Sequence, residues 1–123
     1  MARIQSHRDL TVWQKGMDLV VAVYALAKQF PVEERYGLVQ QATRAAVGVP
    51  ANIAEGHARG TRLDYAHFIA ISRGSLMELE THVMIVERLG MVDSKSVAEV
   101  LERVSEVSRM LTALRNRLLE PQT

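Results

Sequence analysis

An all-α fold, specifically an antiparallel up-down-up-down four-helix bundle, is what this sequence predicts. Three observations carry the prediction. Apolar side chains recur at the three-four spacing of a packing seam in four stretches, about 11–29, 36–57, 62–89 and 94–119. Helix breakers separate them: Pro31, the run from Gly56 to Gly60, and Gly90, with Pro121 closing the last. No stretch alternates with the period of a strand. Helices of this length, at 1.5 Å rise per residue, are about 30–42 Å long and match one another, and short connections make neighbours antiparallel. The expected organisation is a flexible N-terminal segment, 1–9, and one bundle domain, 10–120.

The first helix follows a polar stretch in which Thr11 with Gln14 matches a capping box, Asp9 being the alternative cap. It bears two apolar lines. One holds Trp13, Met17, Val20, Tyr24 and Ala27; the other holds Val12, Leu19, Val23, Leu26 and Phe30. They lie about 100° apart on the helical wheel. One line serves the bundle core, and a second is more than a monomeric surface helix needs, which favours a subunit contact. Leu19, Val23, Leu26 and Phe30 are the expected interface; a single broad core-facing stripe is the alternative.

Pro31, Glu33 and Glu34 suit the entry to the second helix. Its apolar line is Leu38, Ala42, Ala45, Val49 and Ile53, beside a polar line of Gln41, Arg44, Gly48, Asn52, Glu55 and Arg59. Pro50 removes the hydrogen bond to the Ala46 carbonyl, at about 3 kcal/mol in an isolated helix. The apolar spacing stays in phase across it, so one bent helix is expected. Thr61 with Asp64 reads as the cap of the third helix. Its seam is Tyr65, Phe68 or Ile69, Ser72, Leu76, Leu79, Val83 and Val86. Gly90 ends it, and Asp93 or Ser94 opens the fourth, whose seam is Val97, Leu101, Val104, Val107, Leu111, Leu114 and Leu118.

Folding the second and third helices back around residues 59–60 sets Arg44 opposite Ser75 and within a turn of Glu78. Asn52 then lies near His67. Arg44, Asn52, Glu55, Ser75 and Glu78 thus form an expected structural polar network, with Arg44–Glu78 as its charged pair. Stranding one member of a buried pair costs about 3–5 kcal/mol. The same groups are the place to look for a small-molecule or metal site, the less favoured reading. A carboxylate-bridged dinuclear metal centre needs two Glu-x-x-His pairs and two further glutamates. Only Asp64-Tyr65-Ala66-His67 approaches that spacing. Phosphate-binding glycine loops, nucleophile elbows and His-Glu-x-x-His are absent. The sequence therefore predicts no enzyme, no catalytic residues, no metal and no cofactor.

With 15 Lys+Arg against 14 Asp+Glu there is no basic excess of the kind a dedicated nucleic-acid binder shows. The candidate nucleic-acid contacts are Arg59, Arg62 and Arg73, with His57 near them. Arg3, His7 and Arg8 form an N-terminal group, and Arg115 and Arg117 lie near the other end. In an oligomer each would repeat and a weak patch would become a belt. No cysteine is present, which removes disulfides and thiolate metal sites. The longest apolar run, Leu19 to Ala27, is nine residues, against roughly 20 for a membrane span. A soluble, cytoplasmic protein with no membrane partner is expected.

Several blocks together carry a resemblance. They are Asp9-Leu10-x-Val12-Trp13-Gln14-Lys15, Tyr36-Gly37-Leu38 with Gln41, and Arg44-Ala45-Ala46 running into Asn52-Ile53-Ala54-Glu55-Gly56. Ser75-Leu76-x-Glu78-Leu79-Glu80-Thr81 completes them. In order and spacing, over residues 8 to 118, the chain resembles the 23S rRNA intervening-sequence protein family. It departs at Ser72-Arg73, where the family more often has Ala at position 72. The resemblance implies a bacterial cytoplasmic four-helix bundle that assembles as a homopentamer, with no catalytic activity. Some relatives are encoded within insertions in the large-subunit ribosomal RNA gene. Others resemble the retroelement accessory protein that binds a reverse transcriptase and nucleic acid; those are strongly basic and this chain is not. The functional expectation is a non-enzymatic, self-assembling accessory protein whose partners are copies of itself and RNA or DNA. The alternative is an adaptor that binds another protein and no nucleic acid.

Overall fold

The computed structural model describes residues 3–121, so the first two residues of the expected flexible segment lie outside the described residues. Four α-helices make up the fold, with no strand among the described residues: α1 (Thr11–Ala27), α2 (Leu38–His57), α3 (Arg62–Arg88) and α4 (Ser94–Leu119). Each packs on its sequence neighbour, α4 returns to α1, and α2 against α3 is the most extensive contact. The antiparallel order shows in the cross-contacts. Gly48 lies against Ser75 while Gly56 lies against Phe68. Lys15 pairs with Glu106 at 3.5 Å, and Gln29, near the other end of α1, bonds Ser96 at 3.1 Å.

Local chemistry sets the helix ends. The start of α1 departs from the Thr11–Gln14 capping box. A 3-10 turn, His7–Asp9, precedes the helix and is itself boxed: the Asp9 carboxylate accepts from the Gln5 N–H at 2.9 Å and the Ser6 N–H at 3.2 Å. These two donors, Gln5 first, hold the Asp9 carboxyl below the usual carboxylate range. Gln14 instead donates from its side chain back to the Arg8 carbonyl. Ser6 is thus the cap of the turn and Asp9 its reciprocal partner in the box, and neither caps α1.

Thr61 accepts from the Asp64 N–H at 3.1 Å, as its spacing implies. α3 ends on a left-handed glycine, Gly90, with φ of 71°. The Gly90 N–H returns to the Glu87 carbonyl and the Met91 N–H to that of Val86, the paired bonds of a Schellman stop. Asp93 caps α4 by accepting from the Ser96 N–H at 2.8 Å, which with the Ser96 hydroxyl lowers its pKa. Gln29 adds a clamp invisible to periodicity: its side chain accepts from the Asp93 N–H and donates to Ser96, tying the end of α1 to the start of α4.

The core runs the length of the bundle. Val49 and Ile53 of α2, Ile69, Leu76, Leu79, Val83 and Val86 of α3, and Val97, Val104, Val107 and Leu111 of α4 are all buried. So are Leu19, Val23, Leu26 and Phe30, which corrects their assignment to a subunit interface. Leu19 is 0% exposed and Leu26 3% within this one chain, so no second copy can reach them. The two lines on α1 have exchanged roles. The Leu19 line faces inward because α2 and α4 straddle it. The other line turns out along the α1–α2 flank, where Met17 and Tyr24 are exposed.

α2 continues through Pro50 as one helix, and Pro50 is buried beside Gly16 of α1. Close packing between α2 and α3 depends on two glycines. A Cβ on Gly56 would stand 2.8 Å from Phe68 Cβ and 3.2 Å from the Tyr65 carbonyl oxygen; one on Gly48 would stand 2.8 Å from Ser75 Oγ. Gly56→Ala must push backbone apart, so urea denaturation is expected to show a loss of about 1–3 kcal/mol, the usual overpacking cost. A variant as stable as the parent would mean the two helices are not held this closely.

Candidate functional site

The expected polar network does not assemble. Gly48, not Arg44, faces Ser75, so the α2–α3 register is displaced by about one helical turn from the folded-back estimate. Arg44 and Glu78 are both exposed and form no ion pair. Asn52 donates to the Gly48 carbonyl of its own helix at 2.8 Å, and Glu55 pairs with Arg59 one turn on at 3.0 Å. Ser75 is half-buried against Gly48. The reason is geometric. Gly48 and Gly56 draw the backbones together, which leaves the longer polar side chains on the outer rim of the groove, where water solvates them.

The buried polar contact is elsewhere. Ser72 is fully enclosed, and its hydroxyl donates to the Val49 carbonyl across the α2–α3 contact at 2.8 Å. Its place in the α3 apolar seam was the available signal, since a serine there must find an acceptor. That hydroxyl is engaged with backbone rather than poised beside a histidine. Among the described residues no three His, Asp or Glu side chains gather as metal ligands.

The arginines fare differently, for the fold collects groups that are far apart in sequence. Arg62, at the start of α3, donates to the backbone carbonyl of Arg117 near the end of α4. Arg73 and Arg115 line one hollow between these helices, of about 290 Å³, with Ala70, Gly74 and Met77. Arg59 lies 4.5 Å over the Phe68 ring while paired with Glu55. The 3-10 turn bearing His7 and Arg8 packs on α2. Arg59, Arg62 and Arg117, with Arg115 one turn further in, therefore occupy the end of the bundle formed by the starts of α1 and α3 and the finishes of α2 and α4, while Arg73 stands near the middle of α3. Tyr65 lies there too, edge-on to His57 at 5.7 Å. Burial pushes the Tyr65 phenol above its ordinary pKa, with Arg117 opposing, and its hydroxyl is enclosed without a partner.

A second surface runs along α1 and α2. Val21 is 71% exposed, Tyr24 51%, Met17 43% and Val47 43%. Trp13 and Val20 on the same side are partly buried against the core. Gly16 beside Pro50 sets the α1–α2 register, which brings Val47 level with Met17 and Val20 across the groove. No helix among the described residues is long and apolar enough to cross a membrane.

These features define a class: a closed antiparallel four-helix bundle with an uncovered apolar flank and an arginine-bearing end. The sequence model of the 23S rRNA-intervening sequence proteins matches residues 8–113, and the chain belongs to that family. Its fold is that of a crystallised Bacteroides thetaiotaomicron protein of unknown function from the S23 ribosomal protein family. The two share 20% identity and a TM-score of 0.78 over 85% of this chain and 98% of that one. No curated protein matches the chain at a significant level. The family's description names no enzymatic activity.

The two serine and arginine placements separate cleanly in a stability measurement. Arg44→Ala is expected to change unfolding free energy by no more than about 0.5 kcal/mol, as at other exposed sites. Ser72→Ala leaves a buried carbonyl short of a donor and is expected to cost about 1–2 kcal/mol. A reversed order in chemical denaturation would restore the buried Arg44 arrangement.

Proposed function

We propose that this protein is a non-enzymatic scaffold that assembles from copies of itself and presents its arginine-bearing end to the phosphate backbone of RNA. The observation that carries the reading is the flank of Met17, Val21, Tyr24 and Val47, apolar, adjacent and uncovered by the chain that bears it. Contiguous apolar surface of this kind on an aqueous protein marks a contact. A line along two neighbouring helices suits a repeating side-by-side packing, and the pentamer implied by the sequence resemblance is one closed form of it. The arginines supply the second half. Among the described residues only Lys15–Glu106 and Glu55–Arg59 are ion-paired, so Arg62, Arg73, Arg115 and Arg117 keep their charge for a ligand. Repetition around a ring multiplies that end into a basic rim.

Light scattering after size exclusion tests the assembly: the parent is expected to run as an oligomer and Val21→Glu, a charge placed in the contact, as a monomer with unchanged helicity. A monomeric parent would defeat this reading. An oligomer unaffected by Val21→Glu would move the contact elsewhere. The RNA half is tested by affinity for a mixed-sequence single strand across a salt series. Arg62→Gln is expected to reduce the slope of log affinity on log salt by about 0.7, one phosphate contact. Absence of binding at low salt would leave the adaptor reading, in which another protein covers the flank.

A further inference from the structure

The hollow between α3 and α4 differs from an ordinary surface dip in three respects. The first is charge. Arg73 and Arg115 are among its five lining residues, none is acidic, and neither arginine is ion-paired. Two like charges around one concavity repel, and nothing in the wall offsets them. The second is an unmet donor. The Nε–H of Arg115 is shut from solvent and has no acceptor, a condition buried polar groups rarely keep.

The third is Gly74. A glycine inside a helix weakens it relative to alanine, so its presence asks for a reason. At Gly48 and Gly56 the reason is a neighbouring backbone or side chain within 3 Å or so of where a Cβ would stand; at Gly74 nothing lies within 4 Å. No packing contact requires this glycine. With Ala70 one turn earlier, it keeps the floor of the hollow open.

We propose that this hollow is a phosphate-binding notch, with Arg73 and Arg115 as the two cationic walls. A guanidinium offers planar, paired N–H donors that match phosphate oxygens, and charge-assisted bonds of this kind are the strong ones. An anion seated there relieves the repulsion between the arginines. A small turn of the Arg115 guanidinium, which no carboxylate holds in place, gives its Nε–H an acceptor. The same chemistry arrives either as free phosphate or as a backbone phosphate of single-stranded RNA. The RNA source rests on the function proposed above; the notch itself does not.

The Nε–H resonance of Arg115 in the full chain, followed by NMR, reports on the notch directly. Inorganic phosphate added at constant ionic strength is expected to shift it saturably. Arg73→Gln is expected to weaken that response about tenfold, the loss of one charge-assisted contact. Gly74→Leu, which fills the floor without touching the core, is expected to abolish it with the fold intact by circular dichroism. A short mixed-sequence RNA that moves the same resonance, and is displaced there by phosphate, supports a backbone source. Response to phosphate alone supports a free-anion site, and RNA then binds, if at all, through other arginines. No saturable shift with either probe, a shift that sodium chloride reproduces, or an unchanged response in Gly74→Leu overturns the notch. Loss of the RNA salt slope in Arg62→Gln is read separately and is untouched by that failure.

Discussion

The close approach of α2 and α3 at Gly48 and Gly56 is the constraint on which the rest of the bundle depends. With no Cβ in the way, the two backbones come near enough for the Ser72 hydroxyl to reach the Val49 carbonyl. That single register then decides which side chains are inside. Ile53 and Ile69 fall into the core, whereas Arg44, Glu55 and Glu78 fall on the rim. Polar groups at helical spacing among small residues look like an interior network on a helical wheel. In three dimensions the small residues occupy the contact and the polar ones flank it. The same contact holds the turn between the helices, and so fixes where Arg59 and Arg62 stand.

The four helices were legible because each level of the sequence agreed with the next. Seams at three-four spacing, Thr61 and Asp93 as caps, and Gly90 as a left-handed stop all point to the same boundaries, and the helices fall within two residues of them. The first helix shows where such reasoning stops. Both of its lines are apolar, and periodicity alone does not say which one the neighbours cover. The deciding fact is tertiary: α2 and α4 pack on either side of the Leu19 line. Chemically, the lines do differ. The buried one is aliphatic apart from Phe30, while the exposed one carries Trp13, Met17 and Tyr24, side chains that tolerate a wet edge. That difference is present in the sequence itself.

The polar side of the site was less legible for a related reason. A register error of one turn moves every long side chain from a partner to open water, yet leaves the apolar seam looking the same. Ser72 lies in the seam, where the spacing shows that its hydroxyl is buried but not which carbonyl receives it. Gln29 escapes notice because its partners, Asp93 and Ser96, are more than sixty positions away. The arginines at 59, 62 and 73 were visible singly. The meeting of Arg62 with Arg117 and of Arg73 with Arg115 required the α3–α4 pairing, which no local pattern encodes.

A net charge of +1 argues against nucleic-acid binding only if charge is spread evenly, and here it is not. Helix dipoles do not create the asymmetry. Each end of an antiparallel bundle carries two N-termini and two C-termini, whose partial charges oppose one another within a few ångströms. Any field at the arginine-bearing end therefore comes from side chains. Glu55 holds Arg59 there, and the Asp9 carboxylate accepts from the Gln5 and Ser6 N–H groups. Arg62, Arg115 and Arg117 are then set at that end by covalent order and helix pairing alone, with Arg73 further along α3 beside Arg115. Segregation of this sort gives a nearly neutral chain a directional potential, short in range at physiological salt but strong within a contact. Assembly along the α1–α2 flank would align those ends side by side, which is how a modest local charge acquires reach.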